Sequence, residues 1–332
     1  MNSLQRLSYR LNSGKNSKLL YYLRGYSQFL APTPLLRQML PHLLREARQR
    51  PDYEYLLDRV NYYCQLHEPV ALPSSLPLLS EHRPTHPKVY FFDTHEFTRY
   101  FPANYHWGFC PGDVTYVPEV PSIVKSRPLS PDNENSVVMK LDKVRHFIRI
   151  SDPIPFREKE DRLIFMGKVP GKEIREDFMR KYCGHPMVMA GDVSGDPSVP
   201  EVWHQPKMTL REHLQYKFVL ALEGIDVASN LKWVMGSNSL AVMPEPTCET
   251  WFMEGRLVPN YHYVRINADF SDLESQLAYY IEHPNEAEQI IRNAQAYTQQ
   301  FWDKRREYLI SLMVLDKYFA YTGQREHFSL FV

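Results

Sequence analysis

The chain has 332 residues, enough for two domains of ordinary size, and its 43% hydrophobic and 23% charged content describes a globular protein. Its 39 basic and 39 acidic side chains cancel to a formal net charge of zero, which argues against generalised nucleic-acid binding. Cys64, Cys110, Cys183 and Cys248 form no Cys-x-x-Cys, so neither a disulfide framework nor a zinc site is predicted and a reducing cytoplasm fits best.

Residues 1–45 carry seven basic side chains (Arg6, Arg10, Lys15, Lys18, Arg24, Arg37 and Arg45) and no acid before Glu46. Tyr21, Tyr22, Tyr26 and Phe29 are interleaved with them. Basic residues beside amphipathic aromatics suit an anionic membrane surface, where each charge contributes about 1 kcal/mol. A solvated basic face or an Arg-rich transit peptide fits the same composition. Residues 1–18 lack the apolar core of a secretory signal, and no apolar run reaches the ~18 residues of a membrane span. Apolar spacing in 33–68 predicts helix, broken at Pro51. The Pro- and Ser-rich stretch 68–87 predicts an extended connector, and VYFF (89–92) a buried strand ending at Asp93.

Residues 109–136 set polar side chains among prolines, as binding loops often do. Asp113 follows Gly112 at the mouth of a predicted strand. Lys125 and Arg127 share a face if the segment is extended. Arg145 and His146 fall on a helix in MKLDKVRHF. For each of these charges taken alone, surface exposure is the simpler account. RLIFMG (162–167), a glycine-bounded turn and EIREDFMRKY (173–182) read as strand, turn and helix. The loop GDVSGDPSVP (191–200) demands no metal, and the histidines lack ligand spacing.

The stretch 217–267 holds three apolar runs, FVLAL, SLAVM and YHYVRI, with helices predicted at LKWVMG and CETWFMEG. Short crossovers between buried strands predict a parallel sheet, whose ligands sit at the carboxyl ends of its strands. That end carries Gly224, Asp226, Ser229, Asn230 and Lys232. Ser229 or Asn230 can cap the next helix, whose free amides favour an anion, and Lys232 adds charge for a phosphate. An ordinary capped strand-to-helix turn explains the same residues. Beyond it, residues 271–301 predict a helix pair broken near Pro284 with Ser271 as a cap, and 301–319 a long terminal helix.

KFVLALEGIDVASNLKWVMGSNSLAVM followed by CETWFMEGRLVPNYHYVRINADFSDL resembles glycosyltransferase family 90. That group includes animal protein O-glucosyltransferases, fungal capsule proteins and bacterial lipopolysaccharide transferases. VPSIVKSRPLSPDNENSVVMKLDKVRHF (120–147) is similar to the bacterial branch, and the resemblance covers about residues 85 to 320.

The resemblance implies an α/β fold of the GT-B kind: two facing Rossmann-like domains with a cleft between them and a C-terminal helix crossing back. Residues 1–157 would form the acceptor side, with helix 301–320 packed on it, and 158–300 the nucleotide-sugar domain. Asp113 falls near the family's catalytic base and Lys125 near its downstream Lys. The short Arg-Asp-aromatic-Pro signature around that base is absent here, and Asp132 is the second candidate. Phe165, Gly167 and Arg175 match the family's diphosphate-binding element. Its first Arg is Met166 here, leaving Lys168 to supply that charge. Glu249 matches an acidic position of the family's pattern and is expected to hold ribose or sugar hydroxyls, and it also suits a plain helix-N-terminal acid. Lys125, Arg127 and Arg145 line the acceptor side or cleft, whereas His262 and Tyr263 are expected to be structural.

The chain has no Asp-x-Asp, the nearest pair being Asp269 and Asp272, so a metal-free site is expected in which basic side chains and helix amides meet the leaving-group charge. The implied reaction is inverting transfer of glucose or galactose from a UDP-hexose, with no cofactor, to a heptose of the lipopolysaccharide inner core. It would take place at the cytoplasmic face of the inner membrane, contacted through residues 1–45. A transferase for capsule or another surface glycan, or a silent UDP- or glycan-binding protein, are the alternatives.

Overall fold

The computed structural model describes residues 13–325. In chain order the elements are α1 (Lys18–Ser27), α2 (Thr33–Arg48), α3 (Tyr53–Tyr63), α4 (Lys88–Thr98), β1 (Gly108–Cys110), β2 (Ser122–Val124), β3 (Ser126–Pro128), β4 (Ser136–Val138) and α5 (Lys143–His146). They continue with β5 (Glu160–Gly167), α6 (Glu173–Tyr182), β6 (Val188–Asp192), α7 (Leu210–His213), β7 (Tyr216–Leu220), α8 (Leu231–Val234) and β8 (Leu240–Met243). The last are β9 (Cys248–Thr250), β10 (Val264–Arg265), α9 (Leu273–Glu282), α10 (Pro284–Gln299) and α11 (Lys304–Tyr321). Among the described residues no helix is long and apolar enough to cross a membrane.

Two compact units divide these elements. One holds Arg145–Pro246 and Glu254–Gln300 with the described residues before Ser17; the other holds Ser17–Val144, Thr247–Met253 and the described residues from Phe301 onward. Both are mixed α/β with a parallel sheet.

The first unit is built on a five-stranded parallel sheet in the order β10-β8-β7-β5-β6. β7 and β8 are buried at every position, as central parallel strands must be, which is why FVLAL and SLAVM read as continuous apolar runs. Phe165, Phe178, Phe218, Val242, Leu277 and Ile290 belong to one apolar core around the sheet. The strand, turn and helix expected at 162–182 are present as β5 and α6, and the helix pair divides at Pro284, the first residue of α10. Ser271 is not the cap of α9; Asp272 holds that position, and the Ser271 hydroxyl donates to Asp269.

Of two other expectations, one fails and one holds in shortened form. CETWFMEG is not a helix: Cys248–Thr250 is the strand β9, and Met253 takes a φ of 56° that ends any regular run. The strand expected at YHYVRI shrinks to Val264–Arg265, after a turn in which Asn260 has φ 57°.

The second unit has a three-stranded parallel sheet, β1-β2-β4, and an antiparallel pair, β3 with β9. Helix α11 is buried around nearly its whole circumference from Leu309 to Phe319, and it packs against α2, α3 and α4. A helix apolar on all sides belongs at the centre of a domain. VYFF is not a strand but the first half of α4. That helix buries Val89, Tyr90, Phe91, Phe92, Phe97 and also Asp93 and Glu96. A short apolar run cannot by itself distinguish a buried strand from a helix buried on all sides.

Candidate functional site

Two clusters hold the expected site residues, one in each unit. In the first, β5 and β7 are adjacent and parallel, so the turns after them leave the same edge of the sheet. Arg175, in the first turn of α6, reaches back to both turns. Its Nη1 donates to the Lys168 carbonyl at 3.0 Å, its Nε to the Glu223 carbonyl at 3.0 Å and its Nη2 to the Leu222 carbonyl at 2.7 Å. Gly224 leaves room for this: a Cβ there would lie 3.3 Å from Nη2. The exposed Lys168 side chain stands in the turn after β5.

Carbonyl dipoles hold the guanidinium, and among the described residues no carboxylate pairs with it. Burial first, and then the charge of Arg145, lowers the Arg175 pKa to about 10. Arg145, expected on the acceptor side, therefore lies in the same unit as Arg175 and near enough for its charge to be felt there. Two cations whose mutual repulsion is not met by a nearby carboxylate on Arg175 make this edge suited to an anion.

The turn after β7 differs from expectation. Helix α8 is four residues long, and the Leu231 amide already bonds the Ala228 carbonyl, the Trp233 and Val234 amides that of Asn230. Those amides are not available to a phosphate. Asn230 occupies the N-cap position, but its side chain bonds the Leu220 carbonyl at 3.0 Å instead of capping. Asp226 is buried, while Ser229 is half-buried. The Lys232 ammonium is also buried and donates to Glu254 Oε1 at 2.7 Å, so its charge is met inside the fold rather than offered to a phosphate.

In the second unit, Asp113 and Lys125 form an ion pair, the lysine fully buried and the carboxylate partly open to solvent. A buried ammonium beneath a solvent-reaching carboxylate holds that oxygen in one place, which a general base requires. Val114, beside Asp113, is tied to the Ser126 hydroxyl at 3.0 Å. Lys125 and Arg127 are not exposed. Arg127 is buried and its Nε donates to Glu249 Oε1 at 2.7 Å, its Nη2 to the Tyr62 carbonyl at 2.8 Å and its Nη1 to the Ser136 carbonyl at 3.2 Å. Glu249 therefore neither starts a helix nor stands free for a sugar: it sits in β9 opposite Arg127 in β3 and also accepts from the Tyr62 hydroxyl. Asp132 is exposed on the loop between β3 and β4.

Two carboxylates escaped the sequence reading. Asp192, at the end of β6, accepts from the Val169 and Ser194 amides at 2.9 Å each and so shapes the turn that Arg175 grips. Burial opposes its ionisation, but those bonds and the Ser194 hydroxyl hold its pKa below the usual carboxylate value. Glu307, in the first turn of α11, is buried between Arg59, Lys140 and Trp251. Asp192 lies in the loop 191–200, whose Gly and Asp content is its local sequence signal; Glu307 has none.

The family model described as Glycosyl transferase family 90 matches residues 136–322, a span that contains Arg145, Lys168, Arg175 and the turn after β7. The O-glucosyltransferase LpsA of Dichelobacter nodosus is 38% identical over 305 residues, covering 91% of this chain and 95% of that protein.

Proposed function

As the chain belongs to glycosyltransferase family 90, we propose that it transfers a hexose from a UDP-sugar to a heptose of the lipopolysaccharide inner core, with inversion. Glucose is favoured over galactose by the name of the similar O-glucosyltransferase. The observation that supports a nucleotide-sugar donor is the Arg175 guanidinium, held by three carbonyls at the sheet edge beside the charge of Arg145. Arg175 meets the diphosphate, and Lys168, Arg145 and Ser229 add charge and a hydroxyl around it, with Gly224 keeping the approach open. No metal is required, because these cations take up the leaving-group charge.

The acceptor hydroxyl oxygen forms a bond to the anomeric carbon as the bond from that carbon to the UDP oxygen breaks. The acceptor proton passes to Asp113, oriented by Lys125. The transition state has oxocarbenium character, as in glycoside hydrolysis. In this reading the fold is GT-B, and the enzyme works at the cytoplasmic face of the inner membrane, reached through the basic residues 1–45. Arg6 and Arg10 of that set lie outside the described residues.

The test is UDP release from a panel of UDP-sugars, with and without truncated core lipooligosaccharide, in the presence of EDTA. Acceptor-dependent release from one UDP-hexose is expected. Release that stops with EDTA overturns the metal-free step, and no release with any donor overturns the donor assignment.

A further inference from the structure

The second unit contains a cavity of about 330 Å³ whose lining includes Arg37, Arg83, Arg99, His82, His95 and Phe29. The three guanidiniums are held by backbone carbonyls. Arg37 donates to Phe101 at 3.0 Å, Arg83 to Ser80 at 2.6 Å and Arg99 to Gln28 at 2.7 Å. None of the three forms an ion pair among the described residues. The Glu96 carboxylate feels the charge of Arg99 but is already paired with Lys143 and Arg24, so the three guanidiniums around one concavity still draw an anion, and their planes match phosphate oxygens.

Beside the cavity lies an apolar face that no other described residue covers. Helix α1 docks on α4 by one side only. Tyr21 donates to Asp93 at 2.7 Å and to the Val89 carbonyl at 3.1 Å, and Tyr22 and Tyr26 pack edge-on against Phe92. Gly25 permits the close approach, since a Cβ there would lie 2.7 Å from the Phe92 ring. This docking turns Leu19, Leu20 and Leu23 outward, with Leu30 just beyond the helix; the four are 59–84% exposed. Phe29, also half exposed, belongs both to this face and to the cavity wall. Lys18, in the first turn of α1, is exposed beside it, and the chain up to residue 45 has no acid.

We propose that this face docks on an anionic bilayer, with the α1 leucines in the acyl boundary and a phosphate-bearing lipid headgroup in the Arg37–Arg83–Arg99 cavity. The basic charge selects the anionic surface, the leucines supply the apolar insertion, and the cavity supplies a specific headgroup seat. The inference deepens the peripheral contact proposed above and rests on that reading only for where the acceptor lies.

The experiment is flotation of the full chain with phosphatidylcholine vesicles, with and without phosphatidylglycerol, in the absence of donor and acceptor. Binding to the anionic vesicles, weakened by salt, is expected. Leu19→Ser/Leu20→Ser/Leu23→Ser should weaken it about tenfold or more. Arg83→Gln, at an exposed residue bonded only to neighbouring carbonyls, should weaken it about fivefold. Both variants should melt and bind UDP as the parent does. Absence of vesicle binding, equal binding to neutral and anionic vesicles, or phosphate binding in the cavity without vesicle binding overturns the proposal. Because no sugar substrate is present, failure here is distinct from failure of the transferase assay.

Discussion

Arg175 Nη2 donates to the Leu222 carbonyl at 2.7 Å, which ties the first turn of α6 to the chain leaving β7. Through this bond a residue from one turn presents its charge at the other. The carbonyls orient the guanidinium without neutralising it, and an incoming diphosphate would relieve the repulsion from Arg145. Arg175→Lys keeps a charge but loses the planar fork. We expect UDP affinity to fall by about 1.5–3 kcal/mol, roughly 10- to 150-fold, in calorimetric titration. Unchanged UDP binding would remove Arg175 from the donor site.

Asp113→Asn retains the size of the side chain but removes the carboxylate proposed as the base. Turnover should fall about 10²- to 10⁴-fold while UDP binding is kept. If turnover survives and Asp132→Asn abolishes it, the exposed loop carboxylate is the base instead.

Lys232 separates a donor role from a structural one. Its ammonium faces Glu254 in the interior, so Lys232→Met should lower the melting temperature first. A variant that melts normally yet binds UDP weakly would return Lys232 to the phosphate site.

Glu307 is buried with Arg59, Lys140 and the Trp251 indole. Burial raises its pKa, but the charges of Lys140 and Arg59 outweigh this and keep it ionised. Glu307→Gln should cost about 3–5 kcal/mol in urea unfolding, because the buried Arg59 and the half-buried Lys140 lose their counter-charge. A loss under ~0.5 kcal/mol would show that water reaches this network.

His82 and His95 set a pH dependence. Burial is the main cause for both, followed by the charge of His95 on His82 and of Arg99 on His95, and each pKa is pushed from 6.5 down to about 4. The unfolded chain then binds more protons than the folded one between those values, so stability falls as pH drops from about 6.5 toward about 4. Carboxylates with lowered pKa, such as Asp52 and Asp303, lose their contribution only below that window. Urea unfolding from pH 7 to pH 4 should show this loss, and His82→Asn/His95→Asn should reduce it, leaving the part that the buried His213 and the half-buried His262 contribute. A parent curve flat across the window would contradict the burial of these rings.

Sequence alone determined the features whose cause is local. Parallel-strand burial wrote FVLAL and SLAVM as apolar runs, the proline at 284 marked where one helix ends and the next begins, and the match of Phe165, Gly167 and Arg175 pointed to the β5–α6 turn. Only the tertiary structure decided which way the charges face. Arg127 and Glu249 are 122 positions apart, and their pairing, like the β3–β9 ladder beneath it, turned a predicted helix into a strand and a predicted acceptor contact into a buried ion pair. Lys232 and Glu254 were drawn inward in the same way. The physical reason is that a buried charge needs its partner within a few ångströms in space, at any distance along the chain. Periodicity registers burial, but it carries no record of which distant residue supplies the opposite charge.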